Sequence, residues 1–170
     1  MEAIKKIELN KVAKIILITI LGSLLLTLSA KVKIPFYPVP MTMQTFVVLF
    51  LGLAFGYKIG LATVTLYLIE GIIGFPVFAN SPEKGIGIIY FTGPTMGYLI
   101  GFLFAVYIAG IRRDLLNWSK YNYINIIAIF IRLTVAVSFI YILGLLWLGY
   151  LIGWDKPIFE LGAQPFLLAE

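Results

Sequence analysis

The chain has 170 residues, 61% of them hydrophobic and only 12% charged, with a net charge of +5 and a mean hydropathy of +1.02. A water-soluble domain of that length cannot hide so much apolar surface, so lipid is the solvent for much of it. Cysteine and histidine are both missing, which excludes disulfides, zinc sites built on those residues and imidazole catalysis.

Further exclusions follow from motifs and charge. No G-x-x-x-x-G-K-[ST] run occurs, so the chain carries no Walker-type ATP site. The basic residues are scattered among apolar runs and read as topology signals, not as a nucleic-acid surface. The length implies a single membrane-embedded domain over residues 1–170.

In chain order, residues 1–14 (MEAIKKIELNKVAK) form a basic cap and Ile15–Ala30 a first span. A signal peptide begins the same way, but Leu28-Ser29-Ala30 is a poor cleavage site and the rest of the chain is equally apolar. Thr19, Ser23 and Thr27 recur every fourth residue. Such a stripe either admits a neighbouring helix or bonds back to carbonyls one turn earlier. Lys31–Pro40 (KVKIPFYPVP) is expected to be extended, because its prolines bias their neighbours away from helix. Met41–Phe55, capped by Thr42, is a short span, Gly56-Tyr57-Lys58 a tight turn, and Ile59–Gly74 the return. Gln44 and Glu70 then lie toward one face. Gln44 reads either as an inter-helix hydrogen bond or as a ligand contact, and Glu70 as one half of an ion pair with Lys84 or Lys33 in preference to a ligand contact.

The stretch Gly71–Gly101 (GIIGFPVFANSPEKGIGIIYFTGPTMGYLIG) sets a long turn-rich loop between apolar helices. Such a loop is expected to have a function, here to lid a site for a small polar molecule at the outer membrane face. Gly93–Ile111 is a fourth span, with Pro94 in its first turn and Gly93, Gly97 and Gly101 on one face for close helix contact. RRDLLNWSK and Tyr121 make a basic, interfacial connector. Tyr123–Gly153 is the fifth helix, with Arg132 snorkelling near the inner boundary. The final DKPIFELGAQPFLLAE is too short and too charged to span.

The excess of basic residues on one side puts the N-terminus in the cytoplasm. The proline loop, the 75–92 loop and the C-terminal stretch then share the outer face. They supply aromatic groups at Phe36, Tyr37, Phe75, Phe78, Tyr90, Tyr98 and Trp154, and polar ones at Gln44, Asn80, Lys84, Thr92 and Thr95. Aromatic walls with a few amides and hydroxyls describe a small-molecule pocket. Lys84 either meets a ligand carboxylate there or is simply solvated.

Several long motifs carry a resemblance. IPFYPVPMTMQT (Ile34–Thr45), YLIEGIIGFPVFANSPEKGIGIIYFTGPTMGYLIGF (Tyr67–Phe102), IYILGLLWL (Ile140–Leu148) and PFL (Pro165–Leu167) closely resemble the BioY family. These are the substrate-binding S-components of biotin energy-coupling-factor (ECF) transporters. The resemblance implies an all-α, polytopic transmembrane bundle in the cytoplasmic membrane, with five spans visible here. It implies a transport subunit and not an enzyme, with biotin as transported substrate and no cofactor. The implied partners are a transmembrane coupling subunit and two ATPase subunits. Mapped by motif, it implies biotin contacts at Gln44, Phe78, Asn80, Lys84, Tyr90, Gly93, Thr95, Tyr98 and Glu170.

Three departures from the family pattern stand out. Met96 replaces a common glycine. Thr19, Ser23 and Thr27 stand in for the Ala-x-x-x-Ala stripe that docks the coupling subunit. After PFL the family continues with P-G-D and a lysine-bearing sixth helix, whereas this sequence reads PFLLAE, with Glu170 in the aspartate's place. The alternative readings are an S-component-like binder of another small vitamin, or a truncated, non-binding remnant acting as a helix scaffold.

Overall fold

The structure is a computed structural model, described over residues 2–34, 37–111 and 123–164. Helix α1 runs Glu2–Lys31, continuing unbroken through the basic cap. Strand β1 (Lys33–Ile34) pairs antiparallel with β2 (Met41–Thr42), with Lys33 opposite Thr42. Then follow α2 (Gln44–Ile73), a 3-10 turn (Gly87–Thr92), α3 (Met96–Gly110), α4 (Tyr123–Ile152) and the short α5 (Ile158–Gly162). The basic connector with Arg112, Arg113, Trp118, Lys120 and Tyr121 lies outside the described residues, as do Phe36 and the PFL run.

Helix α2 is a hairpin, not a rod. Gly56 sits at φ 80, ψ 168, a region open to glycine without strain. A Cβ on Gly60 would lie 3.5 Å from the Gly52 Cα, and Gln44 Nε2 donates to the Tyr67 hydroxyl at 2.7 Å. In a straight helix those two side chains would stand ~35 Å apart, at 1.5 Å per residue. The expected Gly56 turn is therefore present, joining limbs 44–55 and 57–73. Met43, not Thr42, holds the N-cap position. Thr42 Oγ1 accepts only a long bond from the Gln44 amide, at 3.4 Å.

Among the described residues, α1 over Leu9–Lys31 and α4 are each long and apolar enough to cross a membrane alone. The α2 limbs and the 15-residue α3 are shorter than the roughly 20 residues a perpendicular crossing needs. They are stable as membrane helices because they lie against one another. Helix α3 packs between α2 and α4, and α1 packs on α2.

Small residues bring these backbones close, which is how helices adhere where lipid removes the hydrophobic drive. A Cβ on Gly97 would lie 2.4 Å from the Leu143 carbonyl oxygen, and one on Gly101 2.7 Å from the Ile140 Cα. On the opposite side, a Cβ on Gly52 would meet the Val106 carbonyl oxygen at 2.8 Å. Gly93 is not part of this seam. Helix α3 starts at Met96, and Gly93 instead offers its carbonyl to Trp147 Nε1 at 2.8 Å.

Glu70 forms no ion pair with Lys84 or Lys33. Its carboxylate accepts a hydrogen bond from Ser23 Oγ across the α1–α2 contact. Ser23 is buried on the α1 face that meets the second limb, and Lys33 is committed to the loop described below. Thr19 and Thr27 bond back to the Ile15 and Ser23 carbonyls, the local alternative for hydroxyls in helices.

Candidate functional site

Three connecting segments meet at one end of the bundle. They are the β1–β2 ribbon, the loop from Gly74 through Thr95, and the turn that leads into α5. Between the first two of them, the start of α2, the first half of α3 and the middle of α4 lies a cavity. Val39–Thr42, Gln44 and Thr45 form one side, Phe78, Ala79 and Tyr90 the roof, and Thr95, Tyr98, Leu99, Phe102, Ile140 and Tyr141 the rest. A smaller recess, lined by Asn80, Lys84, Gly93, Pro94 and again Tyr90 and Thr95, adjoins it.

The roof hangs on Phe78. Its ring stacks on Tyr90 at 4.6 Å between centroids and meets Tyr67 and Phe91 edge-on at 5.3 and 5.4 Å. A Cβ on Gly71 would stand 2.0 Å from the Phe78 Cζ, so the ring occupies space that only a glycine leaves on the second α2 limb. Tyr98 closes the opposite wall, donating its hydroxyl to the Gly162 carbonyl at 2.8 Å. That bond ties α5 to the cavity.

Polar groups on this lining are few and oriented. Gln44 is buried; its Nε2 donates to Tyr67 Oη, which donates on to the Val77 carbonyl at 3.3 Å. Gln44 Oε1 accepts from Thr42 Oγ1 at 3.3 Å. Gln44 thus makes the inter-helix hydrogen bond expected as one of its two readings, and it also lines the cavity. Burial raises the Tyr90 pKa above the ordinary phenol value, and the nearby Thr95 side chain and Asn80 backbone offset part of that rise. Lys84 is exposed and lines the recess. Among the described residues its ammonium has no ion pair and no hydrogen bond.

Of the residues singled out from sequence, Gln44, Phe78, Tyr90, Thr95 and Tyr98 line the main cavity. Asn80, Lys84 and Gly93 line the adjoining recess. Glu170 lies outside the described residues. Tyr37, Phe75 and Trp154 are turned to the exterior and take no part. Sequence reasoning missed Tyr67, whose hydroxyl orients Gln44 from mid-helix. It also gave no role to Leu99 and Phe102, although their spacing from Thr95 and Tyr98 puts them on the same α3 face.

Comparison with known proteins agrees with this arrangement. The family model described as "BioY family" matches residues 3–170. A "Probable biotin transporter BioY" from Pyrococcus horikoshii is 34% identical over 163 residues, covering 96% of this chain and 86% of the relative. A "Biotin transporter BioY" from Thermotoga maritima is 33% identical over 143 residues, covering 84% and 79%. The fold matches the crystal structure of the S-component for biotin from an ECF-type ABC transporter, with a TM-score of 0.73, 22% identity, and coverage of 93% of this chain and 82% of the other. A family match along nearly the whole chain, with relatives covered over most of their length, means that this chain belongs to the BioY family.

Proposed function

We propose that this chain is a biotin-binding S-component, a multi-pass membrane subunit that takes up biotin and catalyses no reaction. Its cavity carries the reading: the buried, oriented Gln44 amide shares it with a stacked aromatic roof, and Asn80 borders the recess beside it. Such a site binds a compact ligand with an apolar body and a polar end. The rings of Phe78, Tyr90 and Tyr98 supply faces for biotin's fused rings and alkyl chain. Gln44, Asn80, Thr95 and Tyr90 supply the short list of hydrogen-bonding groups that reject ligands unable to satisfy them. Lys84, accessible and unpaired among the described residues, attracts the ligand's carboxylate. Gly93 lets the recess form beside Tyr90 without a side chain filling it.

Domain extent and orientation belong to the same proposal. The whole of residues 1–170 acts as one binding domain, with the N-terminus in the cytoplasm and the cavity facing outward. Power comes from an ECF module, comprising a transmembrane coupling subunit and two ATPase subunits. Helix α1, which turns a series of large apolar side chains outward between Leu9 and Leu28, is the docking helix. Thr19 and Thr27 are its half-buried small-residue positions, while Ser23 serves the inner contact with Glu70. Glu170 is proposed, from the family motif, as a further polar contact to the ligand.

Titration of the purified protein with biotin, watched by calorimetry, tests the function. Saturable binding of one biotin per chain is expected, with other small vitamins failing to compete. Preference for a different vitamin, or helix association with no saturable ligand, would overturn it.

A further inference from the structure

We infer that Lys31 and Lys33 are positioning residues of the biotin site, which latch the 78–81 loop shut and turn Asn80 so that it faces the ligand only as a hydrogen-bond donor. This rests on the function proposed above. From sequence, Lys31 reads as a topology charge and Lys33 as that or as a partner of Glu70. In the structure their ammonium groups are spent on one stretch of backbone. Lys31 Nζ donates to the Phe78 carbonyl at 2.8 Å and to the Ser81 carbonyl at 3.0 Å. Lys33 Nζ donates to the Ala79 carbonyl at 2.9 Å and to Asn80 Oδ1 at 3.0 Å.

Two further contacts complete the latch. Ser81 Oγ adds a second donor to the Phe78 carbonyl at 2.8 Å, and Glu83 approaches Lys33 Nζ at 3.7 Å. The loop held in this way carries Phe78 and Ala79, which roof the cavity, and Asn80, which lines the recess. The β1–β2 pairing sets Lys33 opposite Thr42. One short ribbon therefore positions both the latch and the Met41–Thr42 wall of the cavity.

The consequence for recognition follows from hydrogen-bond chemistry. An ammonium has donors and no acceptor, so the Asn80 amide atom facing Lys33 is its oxygen. Oδ1 being committed, the Nδ2 group is what Asn80 has left, and it makes no bond among the described residues. Asn80 is buried and borders the recess together with Lys84 and Thr95. The ligand atom seated there is an acceptor oxygen, of either the ureido or the carboxyl group. Without Lys33 the amide can turn over and present either face, so the lysine governs selectivity as well as loop closure.

The test measures biotin affinity for wild type, Lys31→Met, Lys33→Met, Lys33→Arg and Asn80→Asp. Asn80→Asp keeps an oxygen for Lys33 and replaces the donor with an acceptor. It is expected to leave thermal stability intact and to weaken biotin binding at least about tenfold, as an unpaired buried polar contact does. Lys33→Met is expected to lose about tenfold or more, and Lys33→Arg, which keeps the donors, to recover most of it. Lys31→Met should lose affinity through loop opening alone, equally for every ligand. The Asn80→Asp loss should shrink for 2-iminobiotin if the seated oxygen is the ureido one, and for biotinol if it belongs to the carboxylate. Asn80→Asp alters no lysine, so it reads the amide's orientation even if a lysine variant fails to fold. Wild-type protein that binds biotin while Asn80→Asp binds equally well overturns this inference alone. Wild-type protein that binds no biotin overturns the functional reading and this inference with it.

Discussion

Gly71→Ala is the sharpest probe of the cavity roof. The new methyl carbon would stand 2.0 Å from the Phe78 Cζ and 2.2 Å from its Cε2. Comfortable carbon–carbon contact is about 3.5–4.0 Å, so the ring must retreat by roughly 1.5 Å. It is 1% exposed and hemmed in by Tyr67, Tyr90 and Phe91, which leaves the cavity as the direction of escape. Alanine in a helix is worth about 1 kcal/mol over glycine, while overpacking costs about 1–3 kcal/mol. The net loss of stability is therefore small, roughly 0–2 kcal/mol. Binding suffers more, because the displaced ring takes the ligand's place. A fall in biotin affinity of at least about tenfold, or 1.4 kcal/mol, is expected. Calorimetry measures it directly. The rise in melting temperature on adding biotin gives an independent reading, because stabilisation follows the ratio of ligand concentration to Kd. A Gly71→Ala protein that is more stable than wild type and binds biotin as tightly would refute the placement of Phe78.

Four other outcomes are expected. Tyr67→Phe leaves Gln44 Nε2 and the Val77 carbonyl without their shared hydroxyl; a loss of about 1–3 kcal/mol in stability, read by thermal unfolding in detergent, should accompany weaker biotin binding. Lys84→Ala should weaken biotin binding several-fold in dilute salt, with the difference narrowing as salt screens this exposed charge; equal loss for the uncharged biotinol would argue against a carboxylate contact. Burial holds the Tyr90 phenol above its ordinary pKa of 10.0, so the folded state binds the proton more firmly than the unfolded chain. Its contribution is intact below pH 10.0 and declines as pH rises above that value, and Tyr90→Phe should flatten that alkaline decline in an unfolding series. Because the chain has no cysteine of its own, Glu83→Cys should react with an impermeant maleimide on intact cells and Lys58→Cys only after permeabilisation; the reverse pattern would invert the orientation.

Much of this architecture is written locally. The apolar excess demands lipid, and a proline-rich stretch lies where α1 ends at Lys31 and before α2 starts at Gln44. Gly56-Tyr57-Lys58 reads as a tight turn from its residues, and in the structure Gly52 and Gly60 let the two limbs touch beside it. The loop from Gly74 to Thr95 announces itself by its length and turn chemistry, and with it come Phe78, Asn80, Lys84, Tyr90 and Thr95. These features depend on steric and solvation preferences that each residue carries wherever it is placed. Sequence alone therefore determined that this is a membrane helical bundle whose connecting loops carry the residues that line the cavity.

Tertiary structure decided which polar group meets which. Glu70 was expected to seek a lysine and found Ser23, because the two helices bring that hydroxyl alongside. Lys31 and Lys33 read as charges for the membrane surface, yet their long flexible side chains reach carbonyls some 46–50 residues away in sequence. Tyr67 gives no sign on its own helix that it will orient Gln44 across the hairpin. Partners of this kind are chosen by distance and direction after the helices have packed. Periodicity reports which face a residue occupies, not what waits opposite that face.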